Sequence, residues 1–395
     1  MAGSDRDVVV VAGVRTPFAL AGAELSDVPA LELARIAARE VVERSDIDPG
    51  EVDELLAGTV RCNSGDAARA IALLAKLPDR VPALTVSRAD ATGLACLVEA
   101  ALRIRGGECE TVLAVAFDSS PRPAAGRAAH LSLAHPVTGV SPGDAAERLA
   151  REFAIDREAQ DRFAVRSHER AAAARDSGAL AAELVAVPIG PQYRAMVERD
   201  GGVRDDVSLD GFTRLPPVLD RAYGTVTEAN AAPEADGAVA VLLTSGRFAA
   251  ARGFPAFGRI ISWGFAGCDP RRAGLGPVLA APVALRRAGR ATLGQIDRIE
   301  IHEGSAAQVL ACLRAFGSRR FAERHLSGGP VGEVDPGIVN DLGGAIAYGH
   351  PAGASGARMV LGLLRGLERS GLRRGLAAMA VDGGQGAAMI VEAGG

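Results

Sequence analysis

The chain has 395 residues, of which 48% are hydrophobic, and this length can bury one large core or, more commonly, two domains. The formal net charge of -4 and the pI near 6.0 give no electrostatic reason to expect nucleic acid or an anionic membrane as a partner. The composition therefore favours a small molecule or another protein as the partner.

Cysteine usage and the start of the chain bear on the compartment. The five cysteines are odd in number, widely spaced and without a CxxC pair, so neither a disulfide framework nor a metal site is expected. The first residues have an acidic flank and a short β-branched run, unlike a signal peptide. Because no run of about 18 apolar residues could span a bilayer, we expect a cytoplasmic protein without membrane attachment.

The first part of the chain alternates between strand and helix patterns. Residues 7 to 12 and 54 to 60 read as strands, and residues 30 to 45 carry apolar positions at helical spacing. Residues 91 to 105 form a second helical pattern that ends at a glycine pair and leads into a strand over residues 111 to 116. This alternation predicts an α/β layered fold.

The end of the chain repeats this plan. Residues 354 to 371 and then 375 to 381 again give a small-residue turn, with Ser or Thr before Gly, a long helix and an Ala-rich strand. Two similar halves are therefore predicted. We expect the N-terminal half to comprise residues 1–117 and 236–250, an inserted loop domain 118–235, and the C-terminal half 251–395.

The most informative string, NDLGGAIAYGHPAGASGAR, covers residues 340 to 358. It places His350 after Gly349 and just before a helix start, where small residues let a substrate approach the backbone. A glycine-flanked histidine alone is weak evidence, since a structural loop histidine is as common. The longer string closely resembles the histidine loop of thiolases.

Other segments resemble the same family in the same order along the whole chain. They are VVVVAGVRTPF at 8 to 18, QDRFAVRSHERAAAA at 160 to 174, YGTVTEANAAPEADGAVAVLL at 223 to 243, GLGPVLA at 274 to 280, IHEGSAAQ at 301 to 308 and DGGQGAAM at 382 to 389. The chain is thereby identified as a member of the thiolase superfamily. Its His-Glu block is similar to that of the thiolase subunit of the trifunctional fatty-acid oxidation complex.

The resemblance implies a five-layered αβαβα fold built from two equivalent halves, an assembly that is a dimer or a dimer of dimers, and an acyl-CoA ligand. It also implies chemistry that makes or cleaves a β-ketoacyl thioester. That chemistry uses a cysteine nucleophile at a helix N-terminus, a second cysteine as acid and base, and an oxyanion hole that includes a histidine.

Both cysteines of this pattern are replaced in the sequence. Where the trifunctional-type subunit has a string like RACATS, residues 88 to 93 read RADATG, so Asp90 takes the nucleophile position. Ala380 takes the position of the second cysteine. Cys96 is roughly 9 Å further along the predicted helix by helical rise, so we expect it to be structural.

Positions that contact CoA in the family also differ. Pro216 replaces the arginine of its Leu-Arg-Pro segment, and Ala232 replaces a serine or threonine. The resemblance still assigns ligand contacts to Ala232, Gly349, Gly383 and Gly384, with CoA or a carrier-bound acyl thioester as ligand and no other cofactor. Residues 118 to 143 are shorter than the membrane-associating insertion of the trifunctional-type subunit, so that attachment is not expected.

The candidate catalytic residues are Asp90, His302 and His350, and each has a simpler alternative. Both histidines fall on family site positions, against the possibility of structural loop histidines. Asp90 could instead be an N-cap, because Asp is favoured there and gains from the helix dipole. Glu303 is as suited to orienting its neighbours as to proton transfer.

Three hypotheses of function follow from the residues. The first is a repurposed enzyme of lipid or secondary metabolism in which Asp90, His350 and His302 act on an acyl thioester without an acyl-enzyme. The second is a non-catalytic subunit that pairs with an active thiolase-like partner. An ordinary acetyl-CoA acyltransferase ranks last. A homodimer or heterodimer is expected because a monomer would leave the strand over residues 111 to 116 with an open edge.

Overall fold

The computed structural model describes residues 6–62, 64–120 and 129–394. The first residues of the chain, and part of the 118–143 stretch compared with the membrane-associating insertion, lie outside these ranges. The strands are β1 (Val8–Arg15), β2 (Ala19–Leu20), β3 (Glu54–Gly58), β4 (Ala83–Val86), β5 (Thr111–Asp118), β6 (Val187–Ile189), β7 (Ala195–Val197), β8 (Ala235–Ser245), β9 (Gly258–Gly267), β10 (Arg298–Ile301), β11 (Arg374–Val381) and β12 (Gln385–Ala393). The α-helices are α1 (Ala30–Ser45), α2 (Ala67–Leu74), α3 (Thr92–Gly106), α4 (Pro142–Glu152), α5 (Arg157–Asp176), α6 (Leu209–Thr213), α7 (Gly246–Arg252), α8 (Gly276–Arg287), α9 (Ala306–Gly317), α10 (Arg319–His325), α11 (Ala345–Tyr348) and α12 (Ala352–Ser370).

Nine strands form a continuous ladder in the order β10-β11-β12-β9-β1-β8-β5-β3-β4, and β2 pairs beside it with β8. The middle of this ladder is narrow, because β1 and β9 share only the pairs from Val8↔Ile260 to Val10↔Gly258. The ladder therefore consists of two half-sheets, one from each half of the chain, joined at a short seam.

The side chains of alternate strand residues show how the layers stack, since successive residues point to opposite faces. In β5, Leu113 and Val115 pack with α1 and α2, whereas Val112 and Ala114 pack with α3 and α12. In β11 and β12, one set of side chains again meets α3 and α12, and the other meets α8 and α9. Three apolar layers of helices thus enclose two half-sheets, which confirms the predicted αβαβα fold.

The strand expected to lie at an open edge does not. β5 is paired on both sides, with β3 and with β8, so the reason given for a dimer was wrong. The edge of this half-sheet is β4, where Leu84 is 41% exposed beside the exposed Leu73 and Leu74 of α2. The sequence pattern could not show this, because β4 has neither a long apolar run nor strict alternation.

Candidate active site

Glycines bring the starts of α3 and α12 into contact in the middle layer. A Cβ on Gly93 would lie 2.6 Å from the backbone nitrogen of Ala357, and one on Gly356 would lie 2.8 Å from that of Leu94. A side chain at either position would push the helices apart. The repeated Thr-Gly and Ser-Gly turns of the two halves are therefore the helix contact itself, and they place Asp90 and His350 side by side.

Two further residues arrive from the carboxyl ends of neighbouring parallel strands. His302 follows β10 and Asp382 follows β11, and these strands are paired in parallel. The N–H of His302 extends the ladder by donating to the carbonyl of Ala378 at 2.9 Å. Because parallel strands end at the same edge of a sheet, both side chains reach the helix starts that carry Asp90 and His350.

The polar side chains form a chain of contacts. Nε2 of His350 lies 3.2 Å from Oδ1 of Asp90, and Nδ1 of His350 lies 3.1 Å from Nε2 of His302. Nδ1 of His350 also lies 2.7 Å from Oγ of Ser355. The N–H of Asp382 donates to Oδ2 of Asp90 at 2.9 Å. Both carboxylate oxygens of Asp90 therefore already have a partner.

The charges of these contacting side chains follow from burial and from their neighbours. Burial opposes the charge on Asp90, but the hydrogen bond and charge of His350, the N–H of Asp382 and the influence of His302 together hold its pKa well below the usual range. Burial, with His350 next in importance, lowers the pKa of His302 well below its ordinary value. At neutral pH Asp90 is a carboxylate and His302 a neutral imidazole.

The N-cap explanation for Asp90 is wrong. Helix α3 has Ala91 as its N-cap residue, and no side chain caps it. The oxygens of Asp90 accept hydrogen bonds from His350 and from the N–H of Asp382, and not from the first amides of α3. The side chain has turned away from its own helix toward the two elements that meet it.

Asp90, His302 and His350 line a cavity of about 80 Å³, together with Ala380 and Ala232. Apolar residues of α4 also line it. The three glycines expected to contact a ligand do not line it. Gly349, Gly383 and Gly384 have φ values of 92°, 81° and 91°, so they serve the turns that carry His350 and follow Asp382.

No cysteine lines the cavity within the described part of the chain. Cys96, the nearest in sequence to Asp90, is buried, and its thiol points at the carbonyls of Leu56 and Val115. Burial raises the pKa of this thiol to about 12, so it is not a thiolate at neutral pH. Cys96 is a structural residue, as expected.

Glu303 orients the backbone behind His302. Its carboxylate accepts hydrogen bonds from Nδ2 of Asn340 at 2.8 Å, Oγ of Ser167 at 2.7 Å and the N–H of Ile346 at 3.1 Å. These bonds tie the strand end carrying His302 to α5 and to the loop leading to His350. Glu303 is buried and is not among the residues that line the cavity.

Two titratable residues of the cavity were missed from the sequence. Asp382 belongs to the glycine-rich turn quoted above, and its position directly after a buried strand was a usable signal. His130 could not be recognised from the sequence, because it lies outside the quoted segments that resemble the family. Its Nδ1 is buried without a hydrogen-bond partner in the described residues. Burial lowers the pKa of His130 to about 4, so it too is neutral at neutral pH.

The described residues contain no group of three or more His, Cys, Asp or Glu side chains arranged to hold a metal ion. They also include no helix that is both long and apolar enough to cross a membrane.

Comparisons with known proteins cover nearly the whole chain. Residues 8–247 match the family described as thiolase, N-terminal domain, and residues 254–393 match thiolase, C-terminal domain. The chain belongs to the thiolase family.

Named relatives are similar over almost their full length. The 3-ketoacyl-CoA thiolase of Colwellia psychrerythraea is 36% identical over 422 aligned positions, covering 98% of this chain and 97% of the relative. The crystal structure of human mitochondrial 3-ketoacyl-CoA thiolase superposes with a TM-score of 0.89 at 31% identity, covering 99% and 100% of the two chains. The acetyl-CoA acetyltransferase of Bacillus anthracis gives a TM-score of 0.86 at 32% identity, with 98% of each chain covered.

Proposed function

We propose that this chain is an enzyme of acyl-thioester metabolism that moves protons on its substrate without forming an acyl-enzyme. The thioester is carried by CoA or by a carrier protein, and Asp90 stands where the family has its nucleophilic cysteine. The observation that carries the proposal is the contact chain His302–His350–Asp90 in a cavity that no cysteine lines within the described residues. All three proteins named in the comparisons act on CoA thioesters by their names, which supports the substrate class.

The proton positions follow from the partners of each atom. Asp90 is ionised and can only accept, so Nε2 of His350 carries a proton. We assign Nε2–H of His302 as the donor and Nδ1 of His350 as the acceptor between the two rings, which leaves the lone pair on Nδ1 of His302. That nitrogen has no hydrogen-bond partner among the described residues. It is the basic atom available to a substrate in the cavity.

The reaction step balances within this set. Nδ1 of His302 takes a proton from the carbon next to the thioester carbonyl, and the C–H electron pair forms an enolate. The Nε2 proton of His302 then passes to Nδ1 of His350, and Asp90 stabilises the imidazolium. Returning a proton to the carbon completes exchange. The same relay, acting on water or on a β-substituted thioester, suits hydrolysis, decarboxylation or aldol-type cleavage.

Deuterium exchange tests this function without knowledge of the natural acyl group. Acetyl-CoA and butanoyl-CoA incubated with the protein in D₂O are expected to incorporate deuterium beside the carbonyl faster than in buffer alone. Mass spectrometry of the intact protein should find no acyl adduct. His302→Gln should lower the enzymatic rate by roughly 10²–10⁴-fold. His325→Gln, an exposed histidine on α10, is the matched control and should leave the rate unchanged.

A second function, a non-catalytic subunit beside an active thiolase-like partner, is favoured by one observation. Both oxygens of Asp90 have hydrogen-bond partners within the protein, so a purely structural Asp90–His350 pair at the nucleophile position also fits these contacts. Loss of polar groups at Pro216 and Ala232 agrees with it. Deuterium exchange that is no faster with the protein than in buffer alone, for every thioester tried, would favour this second function. The thiolysis assay described in the Discussion tests for an ordinary acyltransferase.

We expect the chain to form a homodimer, or a heterodimer with a thiolase-like partner, through the edge strand β4 and the exposed leucines of α2. A β-edge flanked by apolar side chains is a surface that proteins usually cover. Light scattering at micromolar concentration should give twice the monomer mass for the homodimer. Leu84→Arg should shift the mass toward the monomer, whereas Leu102→Arg, on exposed α3 surface, should not. A wild-type monomer that also binds no partner would contradict the expectation.

A further inference from the structure

The cavity contains a second carboxyl group that the relay does not use. Asp382 lines the cavity directly after β11, and its N–H is fixed by Asp90 at 2.9 Å. Its own carboxyl has no hydrogen bond or ion pair with the described residues. An exposed carboxyl group without a protein partner is accessible to solvent and to a ligand bound in the cavity.

The surroundings of Asp382 disfavour a second negative charge. Two carboxylates in one small cavity do not ionise independently, because each raises the cost of the other's charge. Burial, and then the charge of Asp90, raise the pKa of Asp382 to about 7. The residue keeps more than a third of its surface open, so solvent will moderate this shift.

None of the other titratable groups described around Asp382 forms a hydrogen bond or an ion pair with its carboxyl. His302 and His130 are held neutral by burial, and His350 gives its Nε2–H to Asp90. His135 lies over the next residue, with Nε2 3.2 Å from where a Cβ on Gly383 would be, and its Nδ1 accepts from two loop amides. Asp382 is thus the side chain of this cavity best placed to keep a transferable proton near neutral pH.

We propose that Asp382 is a catalytic residue whose protonated carboxyl donates to the thioester carbonyl oxygen while His302 removes the neighbouring carbon-bound proton. This inference rests on the proposed function. The C–H bond breaks as the N–H bond on His302 forms, the carbonyl π electrons move to oxygen, and that oxygen takes the proton of Asp382. The products are an enol thioester, an Asp382 carboxylate and a protonated relay. Reversal with solvent deuterium gives exchange and consumes no other reactant.

The test combines an activity profile with a direct titration. Wild-type exchange of acetyl-CoA should fall as pH rises through about 7, because Asp382 loses its proton there. The Asp382→Asn variant should not show this fall in rate with rising pH, and it should exchange roughly 10²-fold more slowly than wild type at pH 6. Asp269→Asn removes an exposed carboxylate near the same turn and should keep both rate and profile. In ¹³C NMR of Asp-labelled protein, the Asp382 carboxyl should titrate well above an ordinary Asp, and Asp90→Asn should bring its midpoint down.

The outcomes separate this inference from the proposed function. Wild-type exchange that Asp382→Asn leaves unchanged in rate and pH dependence overturns the role of Asp382 and leaves the relay standing. An Asp382 signal titrating near the ordinary value of about 4 overturns it as well. No exchange by wild-type protein with any thioester overturns both.

Discussion

Purified protein is expected to leave acetoacetyl-CoA and longer β-ketoacyl-CoA esters unthiolysed when free CoA is supplied. Thiolysis needs a thiolate to take the acyl group, and no cysteine of the described residues lines the cavity. Under the proposed function, Asp90 and Ala380 occupy the positions of the two catalytic thiols. Removing an enzyme nucleophile can cost about 10⁶-fold in turnover. Loss of absorbance of the magnesium–acetoacetyl-CoA complex is the measurement.

A restoration series tests the same reasoning in the opposite direction. Asp90→Cys alone should recover little thiolysis, since no thiol exists to move the proton of the incoming CoA. Asp90→Cys with Ala380→Cys should recover more, because the new thiol at 90 would lie beside His350 at the start of α3. Asp90→Ser with Ala380→Cys is the matched control and should remain inactive. Rapid thiolysis by wild-type protein would refute the assignment of Asp90 and leave the ordinary acyltransferase as the better account.

Asp90→Asn is expected to cut deuterium exchange by about 10⁴-fold, the size of effect seen when an aspartate supporting a catalytic histidine becomes an asparagine. Asn is neutral and cannot stabilise the imidazolium that the relay forms on His350. Its side-chain oxygen can still accept from one donor, so affinity for acetyl-CoA and the thermal midpoint should change little. Isothermal titration and calorimetric unfolding measure these controls.

Asp90→Ala gives the stability contrast. It leaves the N–H of Asp382 and Nε2–H of His350 without their acceptor, at a cost of about 1–3 kcal/mol. Because the folded-state pKa of Asp90 lies below its unfolded value, its charge stabilises the fold above about pH 4 and this contribution falls as pH drops further. The difference in unfolding free energy between wild type and Asp90→Ala should therefore shrink in acid. An Asp90→Asn variant with wild-type exchange would leave the non-catalytic subunit as the better function.

Local pattern was enough for the layers of this fold. The helix over residues 30 to 45 matches α1, and the strand over 111 to 116 forms most of β5, because both elements carry their own periodicity and end signals. The repeated Ser or Thr before Gly marked the helix starts that meet in the middle layer. His302 and His350 were found because each stands in a segment that resembles a site motif of the thiolase family.

The tertiary structure alone decided which groups share the cavity and which strand stays open. Asp382 and His130 line the cavity although both lie far from Asp90 in sequence. The strand β5, expected at an edge, is paired with β3 and β8. Such contacts depend on strand order and close helix approach, which no short window of sequence contains. The sequence determined that an aspartate stands before α3. Only the tertiary structure decided that its side chain accepts hydrogen bonds from His350 and from the N–H of Asp382 and not from its own helix amides. Both donors belong to the other half of the chain.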